Sequence, residues 1–194
     1  MIDCFTETFH SDCDEIRMGG CKMATPDTRS GRNYMKTGPG MYAFAKEHKV
    51  AGWPWLLKPM GWLGRKHFKN IENSLADDET VVVAFLTKMA GLTDAGEPTG
   101  RFKWYAFALG DSGTLYFAHW RPFHLDSLRM TLDQVNTINP DTGIIRGRLQ
   151  IQTLQGTQDL TLKWFAPQIR RIYDLLNNEK HAYDKLRHKV DLDG

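Results

Sequence analysis

Cys4, His10, Cys13 and Cys21 are the first residues in this 194-residue chain whose types suggest chemistry, since thiolate sulfur and imidazole nitrogen are the donors that zinc prefers. Their spacing argues against a site. Structural zinc is held by close pairs only a few residues apart, and here the cysteines follow one another at nine and eight residues. Ordinary thiols in a reducing compartment are the simpler reading, and an odd set of three cysteines does not suit a disulfide framework. His181, Asp184 and His188 fall at i, i+3 and i+7, so one helical face would carry all three, but they sit in a polar tail where a solvated helix explains them. His119 and His124 bracket Trp120-Arg121-Pro122-Phe123, which reads as a crossing between strands. No serine elbow, His-Glu-x-x-His helix, phosphate-binding loop or dinucleotide glycine fingerprint occurs, and no pair of carboxylates stands in a recognisable context. The expectation is a protein that is not an enzyme, with no catalytic residue, no metal and no cofactor.

Charge carries more information. The chain has a formal net charge of only +2, but residues 28–70 hold nine cations (Arg29, Arg32, Lys36, Lys46, Lys49, Lys58, Arg65, Lys66 and Lys69) and one acid, Glu47. Residues 1–27 ahead of them hold two basic and six acidic side chains, and residues 71–194 hold fourteen and sixteen. Segregation of this kind directs attention to anionic partners. The basic segment also interleaves Tyr34, Tyr42, Phe44, Trp53, Trp55, Trp62 and Phe68. Three kinds of partner suit cations mixed with aromatics. A protein could take tryptophan and arginine as anchors. Single-stranded nucleic acid could stack on the rings. An anionic membrane could seat tryptophan at its interface with lysine above. The competing reading is that most of these rings pack on the following domain while the cations face water. The surface expected to bind comprises Arg29, Arg32, Trp53, Trp55, Lys58, Trp62, Arg65 and Lys66. A protein partner is the first expectation, nucleic acid through residues 28–70 the second and anionic lipid the third. The sequence does not specify the partner, the host process or the oligomeric state.

The elements that must position such a surface are legible in outline. Composition is ordinary for a globular chain, with 41% hydrophobic and 25% charged residues. No apolar run is long enough to span a bilayer and no secretion signal opens the chain, so a cytoplasmic location is expected. Residues 18–43 are rich in Gly, Pro and Ser/Thr and read as loop, residues 41–49 as two helical turns, and residues 65–77 as a helix carrying Phe68, Ile71 and Leu75. The prolines and glycines of GWPWLLKPMGWLG, residues 52–64, forbid a long helix there. Strands are predicted at 80–89, 101–109 and 114–120, then as two short runs within 128–139, then at 147–156 and 157–165. GDSG, residues 110–113, has the composition of a tight hairpin turn. Ala166-Pro167 opens a last helix with Ile169, Ile172, Tyr173 and Leu176 on one stripe.

That order of elements carries a resemblance. KHFKNIENSLADDETVVVAF (residues 66–85) and MTLDQVNTINPDTGIIRGRLQIQTLQGTQDLTLKWFAPQIRRIYDLL (residues 130–176) resemble the bacterial pleckstrin-homology domains, in particular the YokE-like type of small bacterial and phage proteins. The resemblance covers about 110 residues, roughly 66–178, and departs from the family in the longer, more aromatic HWRPFHLDSLRM. It implies an α+β, mainly β fold: a bent sheet or partly open barrel of about seven antiparallel strands closed by a C-terminal helix. Ahead of it stands an irregular N-terminal extension, residues 1–65, made of the acidic leader 1–27 and the basic segment 28–65, and behind it the polar tail 179–194. It also implies a non-catalytic, PH-like protein-binding accessory module and a possible anion site at the mouth of the first two strands. Lys88, Arg101 and Lys103 match the family's basic positions there, although Asp94 and Glu97 between them would repel phosphate and solvated strand-end charges are the alternative.

Overall fold

The computed structural model describes residues 35–52, 60–92, 98–121, 124–154 and 159–193. Helix α1 (Gly38–Glu47) begins where local chemistry favours it. Thr37 accepts a hydrogen bond from the Gly40 amide at 3.2 Å, Pro39 sits in the first turn, and Glu72 accepts from the Gly38 amide at 2.7 Å. It ends in a Schellman turn: Lys49 adopts φ 57°, its amide donates to Lys46 O, and the Val50 amide donates to Ala45 O at 2.8 Å. Helix α2 (Met60–Glu72) buries Gly64, His67, Phe68 and Ile71, which recur at i, i+3, i+4 and i+7. Gly64 is required by closeness, since a Cβ there would stand 2.8 Å from the Tyr42 ring of α1.

Seven strands follow: β1 (Val81–Leu92), β2 (Pro98–Gly110), β3 (Thr114–Arg121), β4 (His124–Thr131), β5 (Val135–Thr142), β6 (Arg146–Thr153) and β7 (Leu160–Phe165). All pairings are antiparallel, in the order β4-β3-β2-β1-β7-β6-β5. The sheet curls into a half-barrel, and its seam is the β1–β7 pairing, which holds only at Lys88↔Lys163 and Met89↔Leu162. Along the rest of β1 the freed edge is sealed from outside the sheet. Met35 exchanges both backbone hydrogen bonds with Val81, and Val50 O accepts from the Leu86 amide at 2.9 Å. An open edge offers unpaired amides to any passing strand, so this seal completes the fold.

The two faces of β1–β3 are built for different neighbours. Phe85, Phe107 and Phe117 lie opposite one another on the inner face, with ring centroids 4.8 and 5.7 Å apart. Helix α3 (Ala166–Asp193) covers that interior with Ile169, Ile172 and Leu176, and packs on β5, β6, β7 and β1. The outer face carries Ala84, Ala106, Ala108 and Ala118, small residues over which α1 and α2 approach closely.

The expected α+β, mainly β architecture of seven strands and a closing helix is therefore observed. The expected irregular extension is corrected from Met35 onward: α1 is a capped helix, and Met35, Met41, Phe44, Ala45 and Val50 belong to the same hydrophobic core as the strands. Helix α2 starts five residues earlier than its hydrophobic spacing suggested. His119 and His124 flank a hairpin in which Arg121 pairs with His124. The polar tail continues α3 as one 28-residue helix, held where Tyr183 OH and Arg187 both bond the carboxylate of Asp133. Gly113, in the β2–β3 turn, has φ 83°, and a Cβ there would lie 2.4 Å from that same Tyr183 ring. Gly113→Ala is expected to cost about 1–3 kcal/mol, read as a lower thermal midpoint.

A basic cleft on the outer sheet face

Register aligns five side chains in one row across five strands. Trp104 of β2 faces Lys88 of β1, which faces Lys163 of β7, then Arg148 of β6 and Asp141 of β5. Directly opposed residues project to the same side of a sheet, so three cations stand side by side. Two residues along β6, Arg146 faces Phe165 of β7. Lys88, Lys163, Arg148, Asp141, Arg146 and Phe165 line a cleft of about 830 Å³ with Phe102 and Trp164. Arg146 and Arg148 are exposed, and Lys88 and Lys163 are half-buried.

Like charges directly opposed across strands destabilise a sheet. Here aromatic faces take up part of the cost. Lys163 Nζ lies 4.2 Å from the Phe102 ring centroid, and Lys88 Nζ lies 5.6 and 5.4 Å from Trp104 and Trp164. The two indoles pack edge to face at 4.5 Å. Among the described residues Asp141 is the one carboxylate lining the cleft, against four cations. A packed sheet that tolerates such a row departs from the rule that folding alone would favour, and such departures concentrate at functional sites.

The residues expected from sequence are placed unevenly. Of the proposed strand 1–2 anion site, Lys88 lies in the cleft, but alternation along β2 sends Arg101 and Lys103 to the opposite side from Phe102 and Trp104. The three do not converge. Arg65 is exposed on α2, and Lys66 lies 4.3 Å over the Trp120 ring. Trp62 belongs to α2, while Arg29, Arg32, Trp53, Trp55 and Lys58 lie outside the described residues, as do Cys4, His10, Cys13 and Cys21. Other cations of the basic segment are engaged at the surface: Lys36 donates to Asp77 O and Lys69 pairs with Glu72 of its own helix at 2.6 Å. Arg146, Arg148 and Lys163 were not singled out from sequence. Their signal was the outward phase of β6 and β7, visible in Arg146, Arg148 and Gln150 alternating with Gly147, Leu149 and Ile151.

A second cluster lies where α2 meets β3. His67, only 3% exposed, accepts at Nδ1 from the Trp120 amide at 2.7 Å, and His119 donates from Nδ1 to Trp104 O at 2.7 Å. The two imidazoles are 5.5 Å apart. Burial, then the neighbouring His119, push His67 down from 6.5 to about 4. Among the described residues no group of three His, Cys, Asp or Glu is placed to hold a metal ion, and no helix is long and apolar enough to cross a membrane.

Fold and cleft together define a mainly β half-barrel that carries a cation row on its outer face. No family model matches the chain, and no curated protein matches it significantly.

Proposed function

We propose that the chain is a non-catalytic interaction module, PH-like in scaffold, whose working surface is the cleft of Lys88, Arg146, Arg148 and Lys163 and whose partner presents clustered negative charge. The observation that carries this reading is the row of opposed cations, which weakens the sheet unless an anion lies across it. The curled seven-stranded sheet with its C-terminal helix supports the PH-like scaffold. Among the described residues the cleft is lined mainly by cations and aromatics with a single carboxylate, an inventory suited to docking charge and not to moving protons. The indoles nearest the cleft are engaged with each other and with Lys88, which favours recognition of charge over stacking of bases.

The test is binding to soluble polyanions, with polyglutamate standing for an acidic protein segment and a single-stranded oligonucleotide for nucleic acid. Wild type is expected to bind at low salt and to weaken steeply as salt rises. The double variant Arg148→Gln, Lys163→Gln should lose about tenfold or more in affinity while its thermal midpoint stays level or rises, because the like-charge row is broken. A structural role would instead lower the midpoint. Salt-independent binding, or affinity untouched by the double variant, would sink the proposal.

A further inference from the structure

The β5–β6 connection places two aliphatic side chains in water. Ile144 is 99% exposed and Ile145 67% exposed, and the residues on either side of them, Gly143 and Arg146, both line the basic cleft. The tip is not a slack loop. The Gly143 amide donates to Arg146 O at 3.0 Å, Ile145 O accepts from the Ala166 amide at 3.0 Å, and Arg170 donates to Thr142 Oγ1 at 3.3 Å. The backbone is fixed while its apolar side chains project outward. Such a projection does nothing for packing within the chain, and its ordering cost has already been met by the fold.

Passing from the hairpin tip into β6, the exposed isoleucines come first, Arg146 next, and the cation row at Arg148 two residues further on. That order matches a bilayer interface, where acyl chains lie beneath a plane of phosphates. A protein groove would instead favour a broad apolar centre with charge around its rim. Resting on the reading of the cleft as an anion-facing surface, we infer that the Ile144–Ile145 tip and the Lys88, Arg146, Arg148, Lys163 cleft form one docking face for an anionic membrane. The isoleucines enter the headgroup region and the cations meet lipid phosphates. Each cation near such a surface contributes about fivefold in partitioning, and Asp141 offsets part of that.

The full chain is sedimented with vesicles of phosphatidylcholine alone and of phosphatidylglycerol mixed with phosphatidylcholine, with polyglutamate binding measured in parallel at the same salt. The expected result is pelleting with the mixed vesicles only. The double variant Ile144→Ser, Ile145→Ser, which removes the apolar groups without adding charge, should reduce that partitioning about tenfold or more and leave polyglutamate binding unchanged. Arg148→Gln with Lys163→Gln should reduce both. Since both isoleucines are solvent-exposed, the tip variant keeps the fold, and circular dichroism verifies this. Failure to pellet with mixed vesicles, or equal pelleting of the tip variant, overturns the membrane inference. If polyglutamate still binds through the cleft in that case, the anion-binding reading stands alone, and if neither ligand binds, both fall.

Discussion

Phe107→Ala is expected to remove about 3–5 kcal/mol of folding stability. Phe107 is fully buried, with its ring stacked on Phe85 at 4.8 Å and against Phe117 at 5.7 Å, so three central strands meet through one side chain. Truncation removes the transfer energy of the ring and leaves a void that the neighbouring strands, locked by paired backbone, cannot close. A domain of this size is stable by roughly 5–15 kcal/mol, so the variant retains a small margin or none. Urea unfolding followed by circular dichroism gives the midpoint. Phe107→Leu keeps most of the volume and should lose far less. Equal losses for the two variants would show that the ring stack does not govern stability at this position.

Acid should loosen the contact between α2 and β3. His67 must stay neutral to accept the Trp120 amide at Nδ1, and its pKa is depressed from 6.5 to about 4 in the folded chain. Between those values the unfolded chain binds a proton that the folded chain refuses, so stability is complete above about pH 6.5, falls as pH drops through the window and levels below about pH 4. The whole window corresponds to about 3 kcal/mol. The neighbouring His119, 5.5 Å away, is the second cause of that depression after burial. His67→Gln keeps an oxygen acceptor but cannot titrate. Urea midpoints measured from pH 7 down to pH 4 should therefore fall more steeply for wild type than for His67→Gln. Parallel curves would remove His67 as the cause.

The strands, the β2–β3 turn and the closing helix were legible because each rests on local pattern. Val81–Val83 are β-branched, Leu149 and Ile151 alternate with polar residues, and Ile169, Ile172 and Leu176 recur at helical spacing. The start of α1 was less visible, since its glycines and Pro39 read as loop until Thr37 and Glu72 are seen to satisfy its first amides. The cleft was the hardest to read. Lys88 was legible only as a partner of Arg101 and Lys103, and Lys163 not at all; what makes the two a pair is the seam between β1 and β7, set by how far the sheet curls and not by any short-range signal. Local charge counting pointed instead to residues 28–70, where Lys36, Lys66 and Lys69 turn out to be tied to Asp77, Trp120 and Glu72.

The sealed edge of β1 also bears on the order of assembly. Met35 and Val50 are synthesised before Val81 and Leu86, the residues they cover, and well before Leu162, whose pairing fixes the neighbouring part of β1. Until Val81 and Leu86 exist, the earlier segment has no surface to close, but it can close on β1 as soon as they are made, whereas the β7 pairing must wait for Leu162. The contacts that protect β1 therefore span long stretches of sequence, an arrangement that slows folding more than it limits final stability.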